Sequence, residues 1–130
     1  MRGYKDLVVW QKAMDLVVAV YKLTKSFPTT ELYGLTSQMQ RAVVSIPSNI
    51  AEGQALKQTQ AYVRHLAIAS GSLAELETQL EIANCLGYLS LESRLVFEQA
   101  GEVGRMLVGL RRSLHPGVPG PKSQVLNPRS

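Results

Sequence analysis

The segment 45–53, which reads Ser-Ile-Pro-Ser-Asn-Ile-Ala-Glu-Gly, constrains the fold more than any other part of the chain. Apolar residues recur at helical spacing on both sides of it, so Pro47 is predicted to lie inside a helix. A proline there removes one backbone donor and presses on the carbonyl of Val43, at a cost of about 3 kcal/mol. The hydroxyls of Ser45 and Ser48 are close enough to bond the backbone groups that are freed. The segment therefore predicts a kinked helix whose distortion has a structural use.

The polar side chains of this segment predict a contact with the third of four predicted helices. Asn49 and Glu52 are three residues apart and share a helical face. The third predicted helix carries a run of small side chains around Gly71 and Ser72, and a glycine in a helix costs about 1 kcal/mol relative to alanine. Close approach by a neighbouring helix would compensate that cost. We expect Asn49, Glu52, Ser72 and Glu75 to form a hydrogen-bonded clasp between the two helices, and the alternative is that they line a small pocket.

Four helical segments with short connections and almost no strand signal predict an all-α, antiparallel up-down-up-down four-helix bundle. The bundle is expected to occupy residues 1–114, and the Pro/Gly-rich tail 115–130 is expected to be disordered. The predicted boundaries are Asp6 to Lys25, Thr29 or Thr30 to Gly53 (which breaks or caps its helix, the alternative being that some helix persists to Lys57), Gln58 or Thr59 to Gly87, and a fourth helix capped by Ser90.

The first predicted helix carries two apolar stripes, so it should be covered on two sides. One side can face the bundle, and the other predicts self-association. Charged residues make up 18% of the chain, below the quarter that is usual in soluble domains, and this low content also predicts self-association. The two stripes are Leu7, Trp10, Met14, Val17, Tyr21 and Val9, Ala13, Leu16, Val20, Leu23.

Charge and cysteine content restrict the partners and the compartment. The net charge is +4, which permits a weak affinity for polyanions, although Lys122 and Arg129 of the tail supply half of it. The single Cys85 excludes an intramolecular disulfide and is predicted to be a small buried hydrophobe. The N-terminus has no signal-peptide pattern, and no apolar run approaches the length of a membrane span. We therefore expect a cytoplasmic protein without membrane association.

Several motifs in order give the chain a family resemblance over about residues 4–90. They are Leu-x-x-Trp at 7–10, the proline segment at 45–53, and Gly-Ser-x-x-Glu-x-Glu at 71–77. The chain resembles the bacterial four-helix bundle family first noticed in reading frames inside intervening sequences of 23S ribosomal RNA genes. The resemblance implies a ring-like homopentamer of antiparallel bundles. A relative is the accessory variability protein of diversity-generating retroelements, a pentameric barrel that binds reverse transcriptase and nucleic acid.

The leading functional hypothesis is a non-enzymatic homo-oligomer that binds RNA or a nucleoprotein partner through surface cations. The alternative is a protein-interaction scaffold that binds no nucleic acid. Arg41 is expected instead to form an ion pair with Glu52 or with an acid of the third helix. The candidate phosphate contacts are Lys12, Lys22, Lys25, Arg105, Arg111 and Arg112.

The sequence offers no pattern for catalysis. Neither His65 nor His115 has a partner at metal or triad spacing, and no phosphate-binding glycine loop occurs. Glu75, Glu77 and Glu81 suggest a di-iron bundle, but that site needs Glu-x-x-His pairs, which are missing. We therefore predict no enzymatic activity, no cofactor, no metal and no identifiable small-molecule substrate.

Overall fold

The computed structural model describes residues 3–114, and all regular structure within them is helical. This confirms the prediction of an all-α chain with four main helices. The predicted disorder of residues 115–130, including His115, lies outside the described residues. The helices are α1 (Val8–Thr24), α2 (Leu35–Ala55), α3 (Thr59–Cys85) and α4 (Arg94–Leu114), with short 3-10 helices at Gly3–Asp6, Thr29–Glu31 and Leu91–Ser93.

The four helices enclose one hydrophobic core. Helices α1 and α3 each pack against both α2 and α4. Every helix supplies a stripe of buried aliphatic side chains, and full burial of one such side chain stabilises a fold by about 1.5–3 kcal/mol. The largest fully buried side chains are Leu16, Val20, Met39, Val43, Ile46, Ile50, Leu66, Leu76, Leu80, Val103 and Leu107.

Helix α1 buries one of its two apolar stripes and only part of the other, whose Leu7, Trp10 and Val17 pack against the core. The stripe that contains Val9 and Leu16 faces the core. On the other side Met14 is 39% exposed, Tyr21 is 41% exposed and their neighbour Val18 is 53% exposed. The helix therefore presents apolar surface that the single chain does not cover.

Helix α3 begins and ends close to the predicted positions. Gln58 precedes its first turn in an extended conformation, and its regularly spaced leucines are buried. At the other end Gly87 has a φ of +79°, a left-handed conformation that favours glycine. The amide of Tyr88 donates to the Ala83 carbonyl and that of Gly87 to the Asn84 carbonyl, both at 3.0 Å. These bonds satisfy carbonyls in the last turn of the helix, as in a Schellman-type helix end.

Helix α2 begins later than predicted. Thr29 and Thr30 do not cap it, because Thr29–Glu31 forms a separate 3-10 turn and the helix starts at Leu35. The Oε1 of Glu31 accepts the Leu35 amide at 3.2 Å, so a carboxylate satisfies the helix N-terminus. The other oxygen accepts the Tyr88 hydroxyl at 2.8 Å, and this bond raises the pKa of Tyr88 above its ordinary value.

Gly53 does not end α2, which continues through Pro47 and Gly53 to Ala55. Gly53 is buried, and a Cβ placed on it would lie 2.8 Å from the His65 Cβ and 3.1 Å from the Tyr62 Cδ1. The glycine therefore permits the close approach of α3.

Gly71 does not have the role predicted for it. It is exposed on α3, and a Cβ placed on it would meet nothing within 4 Å among the described residues. The prediction that close packing compensates the energetic cost of this glycine is wrong, because part of the run of small side chains lies on the exposed face of α3. Gly53 on α2 is the residue that allows the two helices to approach.

Cys85 is exposed, contrary to the prediction that it is buried. It is the last residue of α3 and lies two positions after Ala83, the end of the buried stripe, so it faces another side of the helix. Among residues 3–114, no helix combines the length and the hydropathy needed to cross a membrane.

Alanine at the two glycines should have opposite effects on stability. Gly53→Ala forces His65 and Tyr62 away from α2, and we expect it to lower the free energy of unfolding by about 1–3 kcal/mol. Gly71→Ala is the control, because it removes a glycine from a helix without a clash and should stabilise by up to about 1 kcal/mol. Urea unfolding followed by circular dichroism measures both. Equal effects of the two substitutions would contradict the assignment of Gly53 as the contact point.

Candidate functional site

The polar residues of segment 45–53 bond across to α3. The hydroxyls of Ser45 and Ser72 are 2.8 Å apart. One turn further along α2, the Oδ1 of Asn49 lies 2.9 Å from the Nδ1 of His65. Residue numbers thus rise along α2 as they fall along α3, and two separate hydrogen bonds fix the register of the two helices.

Asn49 is the centre of this network, because both polar atoms of its side chain are used. Its Nδ2 donates to the Ser45 carbonyl at 2.9 Å and to the Ser45 hydroxyl at 3.0 Å. Its Oδ1 must therefore be the atom that faces His65, and as an acceptor it requires a proton on His65 Nδ1. The network consequently selects one tautomer of the neutral imidazole.

Glu52 contributes less to the contact than predicted. Its Oε2 lies 3.9 Å from His65 Nε2, a distance that forms an ion pair only when the imidazole is protonated. The Glu52 side chain is 64% exposed. Solvent screening keeps such exposed pairs weak.

Side chains next to Pro47 bond the carbonyls that follow the disrupted position. Pro47 has no amide proton for the Val43 carbonyl. The Ser48 hydroxyl donates to the Val44 carbonyl at 2.8 Å, and Asn49 donates to that of Ser45. The two extra donors strengthen the turn that contains the proline, and α2 continues through it without a break.

The structure brings together only part of the predicted clasp. Asn49 and Ser72 belong to the bonded network, whereas Glu75 is exposed and lies outside it. The sequence prediction missed two members: Ser45, whose hydroxyl was expected to bond the backbone and instead contacts Ser72, and His65, whose sequence context indicated no partner. For His65 the available signal was its position directly before Leu66, one of the leucines that recur at helical spacing along α3 and are buried.

A polar groove of about 480 Å³ runs beside the clasp between α2 and α3. Gln79 at this groove is only 7% exposed, and its Oε1 is buried without a hydrogen-bond partner in the described part of the chain. The residues whose polar side chains line the groove are Gln38, Arg41, Ser45, Ser72, Glu75 and Gln79.

Arg41 does not form the predicted ion pair. Glu52 is eleven residues further along the same helix, about 16 Å away by the helical rise. Glu75 shares the groove with Arg41, but within residues 3–114 no ion pair joins them. Both residues are exposed at the groove.

The six candidate phosphate contacts are spread along α1 and α4. Lys12 Nζ lies 3.7 Å from Glu102 Oε1, so an acid already faces it. Lys22 is ten residues beyond Lys12, about 15 Å along α1. Arg111 is nine residues beyond Glu102, about 14 Å along α4. Lys25 extends the first group, and Arg105 and Arg112 the second, so the six residues do not form one compact patch.

The titratable groups of the described chain show no assembled metal site. Among residues 3–114, no three His, Cys, Asp or Glu side chains are grouped so as to hold a metal ion. Burial raises the pKa of the Tyr62 hydroxyl and of the Glu77 carboxyl. The Tyr62 oxygen is buried without a hydrogen-bond partner among these residues.

Comparison with known families gives one match. A family model described as 23S rRNA-intervening sequence protein matches residues 5–109. The match spans all of α1, α2 and α3 and most of α4, so it includes the clasp and the groove. It confirms the resemblance found in the sequence motifs. No curated protein is similar enough to count as a match.

Replacing Asn49 should show how much the clasp stabilises the fold. Asn49→Leu removes the bonds to Ser45 and leaves His65 Nδ1 without its acceptor, and we expect a loss of about 1–3 kcal/mol in the free energy of unfolding. Ser48→Ala, which removes one exposed local bond, is the matched control and should change stability by less than about 1 kcal/mol. Thermal and urea unfolding measure both. An Asn49→Leu protein as stable as the wild type would disprove a stabilising clasp.

Proposed function

The chain belongs to the 23S rRNA-intervening sequence protein family, and from this premise we propose that it is a non-enzymatic, homo-oligomeric helical bundle that binds RNA or a nucleoprotein partner. The proposal includes an antiparallel up-down-up-down order of the helices, a ring of five copies and a cytoplasmic location. The opposite numbering of α2 and α3 across their hydrogen bonds supports the antiparallel order. The ring of five rests on the family resemblance.

The observation that carries the oligomer proposal is the uncovered apolar strip of α1. Met14, Val18 and Tyr21 follow one another at four- and three-residue steps and are all exposed. Tyr21 also lines a groove with Val44 of α2, which is exposed too. A contiguous apolar surface of this kind is typical of a protein–protein interface. A second copy of the chain is the partner that we propose for it.

Exposed cations support the nucleic-acid part of the proposal. Lys22, Lys25, Arg105 and Arg112 are exposed, and the net charge of the chain is +4. In a ring, each of these residues would recur once per subunit, so dispersed charges on one chain would add up around the assembly. RNA bound in this way would release counterions and would weaken as salt increases.

A scaffold without nucleic-acid binding is the second candidate function. It is favoured by the pairing of Lys12 with Glu102 and by the spread of the other candidate cations along α1 and α4. In this case the apolar strip would still assemble the protein, and the exposed charges would only be solvated.

A charge in the apolar strip should dissociate the oligomer. Val18→Glu places a carboxylate at the centre of the strip, where burial of an unpaired charge is strongly unfavourable. We expect native mass spectrometry to show a shift from the oligomer to the monomer, with the helical circular dichroism spectrum unchanged. Leu56→Glu, at an exposed apolar residue directly after α2, is the control and should leave the mass unchanged. A Val18→Glu protein that keeps the wild-type mass would contradict this interface.

RNA binding is tested by gel shift with a structured RNA at two salt concentrations. If about four cations per subunit contact phosphate, affinity should fall by roughly a hundredfold or more between about 50 and 200 mM salt. Lys22→Glu combined with Lys25→Glu should weaken binding further, and Lys57→Glu at the α2–α3 turn is the matched control. Absent or salt-insensitive binding would reject the nucleic-acid function and leave the scaffold.

A further inference from the structure

We propose that the apolar strip of α1 packs against the outer face of α3 in the next copy of the chain. The residues of this face that take part, called the α3 strip, are all exposed and follow one another at four-, three- and four-residue steps: Arg64, Ile68, Gly71 and Glu75. This pairing rests on the proposed homo-oligomer. What it adds is the surface of the partner copy that the α1 strip contacts.

The α1 strip and the α3 strip lie on two neighbouring sides of the bundle. Tyr21 lines a groove with Val44, so the α1 strip is turned towards α2. Glu75 lines the polar groove with Ser45, so the α3 strip is turned towards α2 from the other side. Because α2 packs between α1 and α3 in a four-helix arrangement, the two sides face directions about a right angle apart.

Two unlike contact surfaces on one chain form a ring when they join head to tail. Such a contact repeats from copy to copy, and it closes if the rotation per copy divides a full turn. Sides about 90° apart correspond to about four copies, and sides about 108° apart to about five. The α1 strip paired with itself would give only a dimer. The α3 strip is therefore placed where a ring needs its second surface.

The apolar residues of the two strips match when α1 and α3 run in the same direction. The proposed up-down order makes these helices parallel, and rotation about a ring axis along the bundle preserves their directions. Val18, which is 53% exposed, can then pack on Ile68, which is 46% exposed. The next residue of each strip is three positions further, so Tyr21 lies opposite Gly71. A Cβ on Gly71 would meet nothing within 4 Å among the described residues of its own chain, which leaves room for the ring.

Opposite charges meet at the beginning of this contact. Arg64 is four residues before Ile68, and Asp15 is three residues before Val18, so the two charged side chains are nearly level. Both are exposed, and within residues 3–114 neither takes part in an ion pair. The attraction of Asp15 to Arg64 of the next copy favours the parallel alignment over its reverse.

The other end of the contact carries opposite charges as well. Lys25 follows the α1 strip by four residues and Glu75 ends the α3 strip, so these exposed residues are level in the same alignment. A shift of one copy by two helical turns would place Glu75 opposite Val18, where an unpaired carboxylate is unfavourable. The apolar residues and the charges therefore select one register. Lys22 lies off the strip and remains free for phosphate.

The positions of α2 and α4 in the ring follow from this pairing. Because α2 lies between the two contact sides, it faces the inside of the ring, and α4 faces outwards. Val108 of α4 is 40% exposed, close to the exposure of Ile68, and it lies outside both strips. It therefore offers a matched control position for the contact.

Cysteine cross-linking of the full-length protein tests the pairing of the strips. All variants carry Cys85→Ser, because Cys85 is exposed. Val18→Cys combined with Ile68→Cys should give, under mild oxidation, a ladder of covalent oligomers up to the mass of the whole assembly, because the two thiols of neighbouring copies come within disulfide reach. Val18→Cys combined with Val108→Cys is the control and should stay monomeric on a non-reducing gel.

The outcomes separate this pairing from the proposed oligomer itself. Covalent dimers of Val18→Cys alone would show that the α1 strip pairs with itself and would overturn the pairing with α3. So would the absence of a ladder from the Val18→Cys, Ile68→Cys protein if native mass spectrometry still shows an oligomer, and the oligomer proposal would then stand. A wild-type chain that is monomeric would overturn both proposals.

Charge reversal tests the register. Asp15→Arg and Arg64→Asp each place like charges opposite each other, and each should raise the protein concentration at half-dissociation by about threefold or more. The double variant restores opposite charges and should return to within about twofold of the wild type. Arg94→Asp, at an exposed arginine at the start of α4, is the control and should have no effect. A double variant that dissociates as readily as the single variants would overturn this alignment of the strips.

Discussion

The close approach of α2 and α3 at Gly53 is the contact on which the rest of the site depends. The missing Cβ lets the His65 Cβ come to a position 2.8 Å from where that atom would be. In the same helix–helix contact Asn49 reaches His65 at 2.9 Å and Ser45 reaches Ser72 at 2.8 Å. These bonds then fix the register of the groove walls. A glycine at one position thus allows the close packing of the helix pair whose polar groups bond one and two turns away.

Helix α2 separates two surfaces of different character. Arg41 and Ser45 belong to both the apolar-edged groove beside Tyr21 and the polar groove beside Glu75. The first groove includes the apolar side chains of Tyr21 and Val44, whereas the second is lined mainly by polar side chains. The same turns of α2 therefore line two surfaces of different chemistry.

Sequence reasoning succeeded where structure follows from local spacing and failed where it follows from distant partners. The bounds of α3, which begins next to Gln58 and ends before Gly87, follow from local sequence features, and the structure has them close to the predicted positions. The start of α2 was predicted wrongly because it depends on the Glu31 side chain. Glu31 is held by a hydrogen bond from Tyr88, which is 57 residues away in the chain. Gly53 and Gly71 look alike in the sequence, and only the neighbouring helix distinguishes them. His65 escaped notice for the same reason, since its partner Asn49 is 16 residues away.

Pro47 has a structural role inside α2, although it does not end the helix. Its ring fixes φ near about −65° and removes the amide that would bond Val43, so the turn around it is stiff but lacks one bond. Asn49 adds side-chain bonds to Ser45 within that same turn. Those bonds consume the Asn49 amide donors and leave its Oδ1 to face His65. The proline segment therefore presents one acceptor in a fixed direction, and that acceptor joins the two helices.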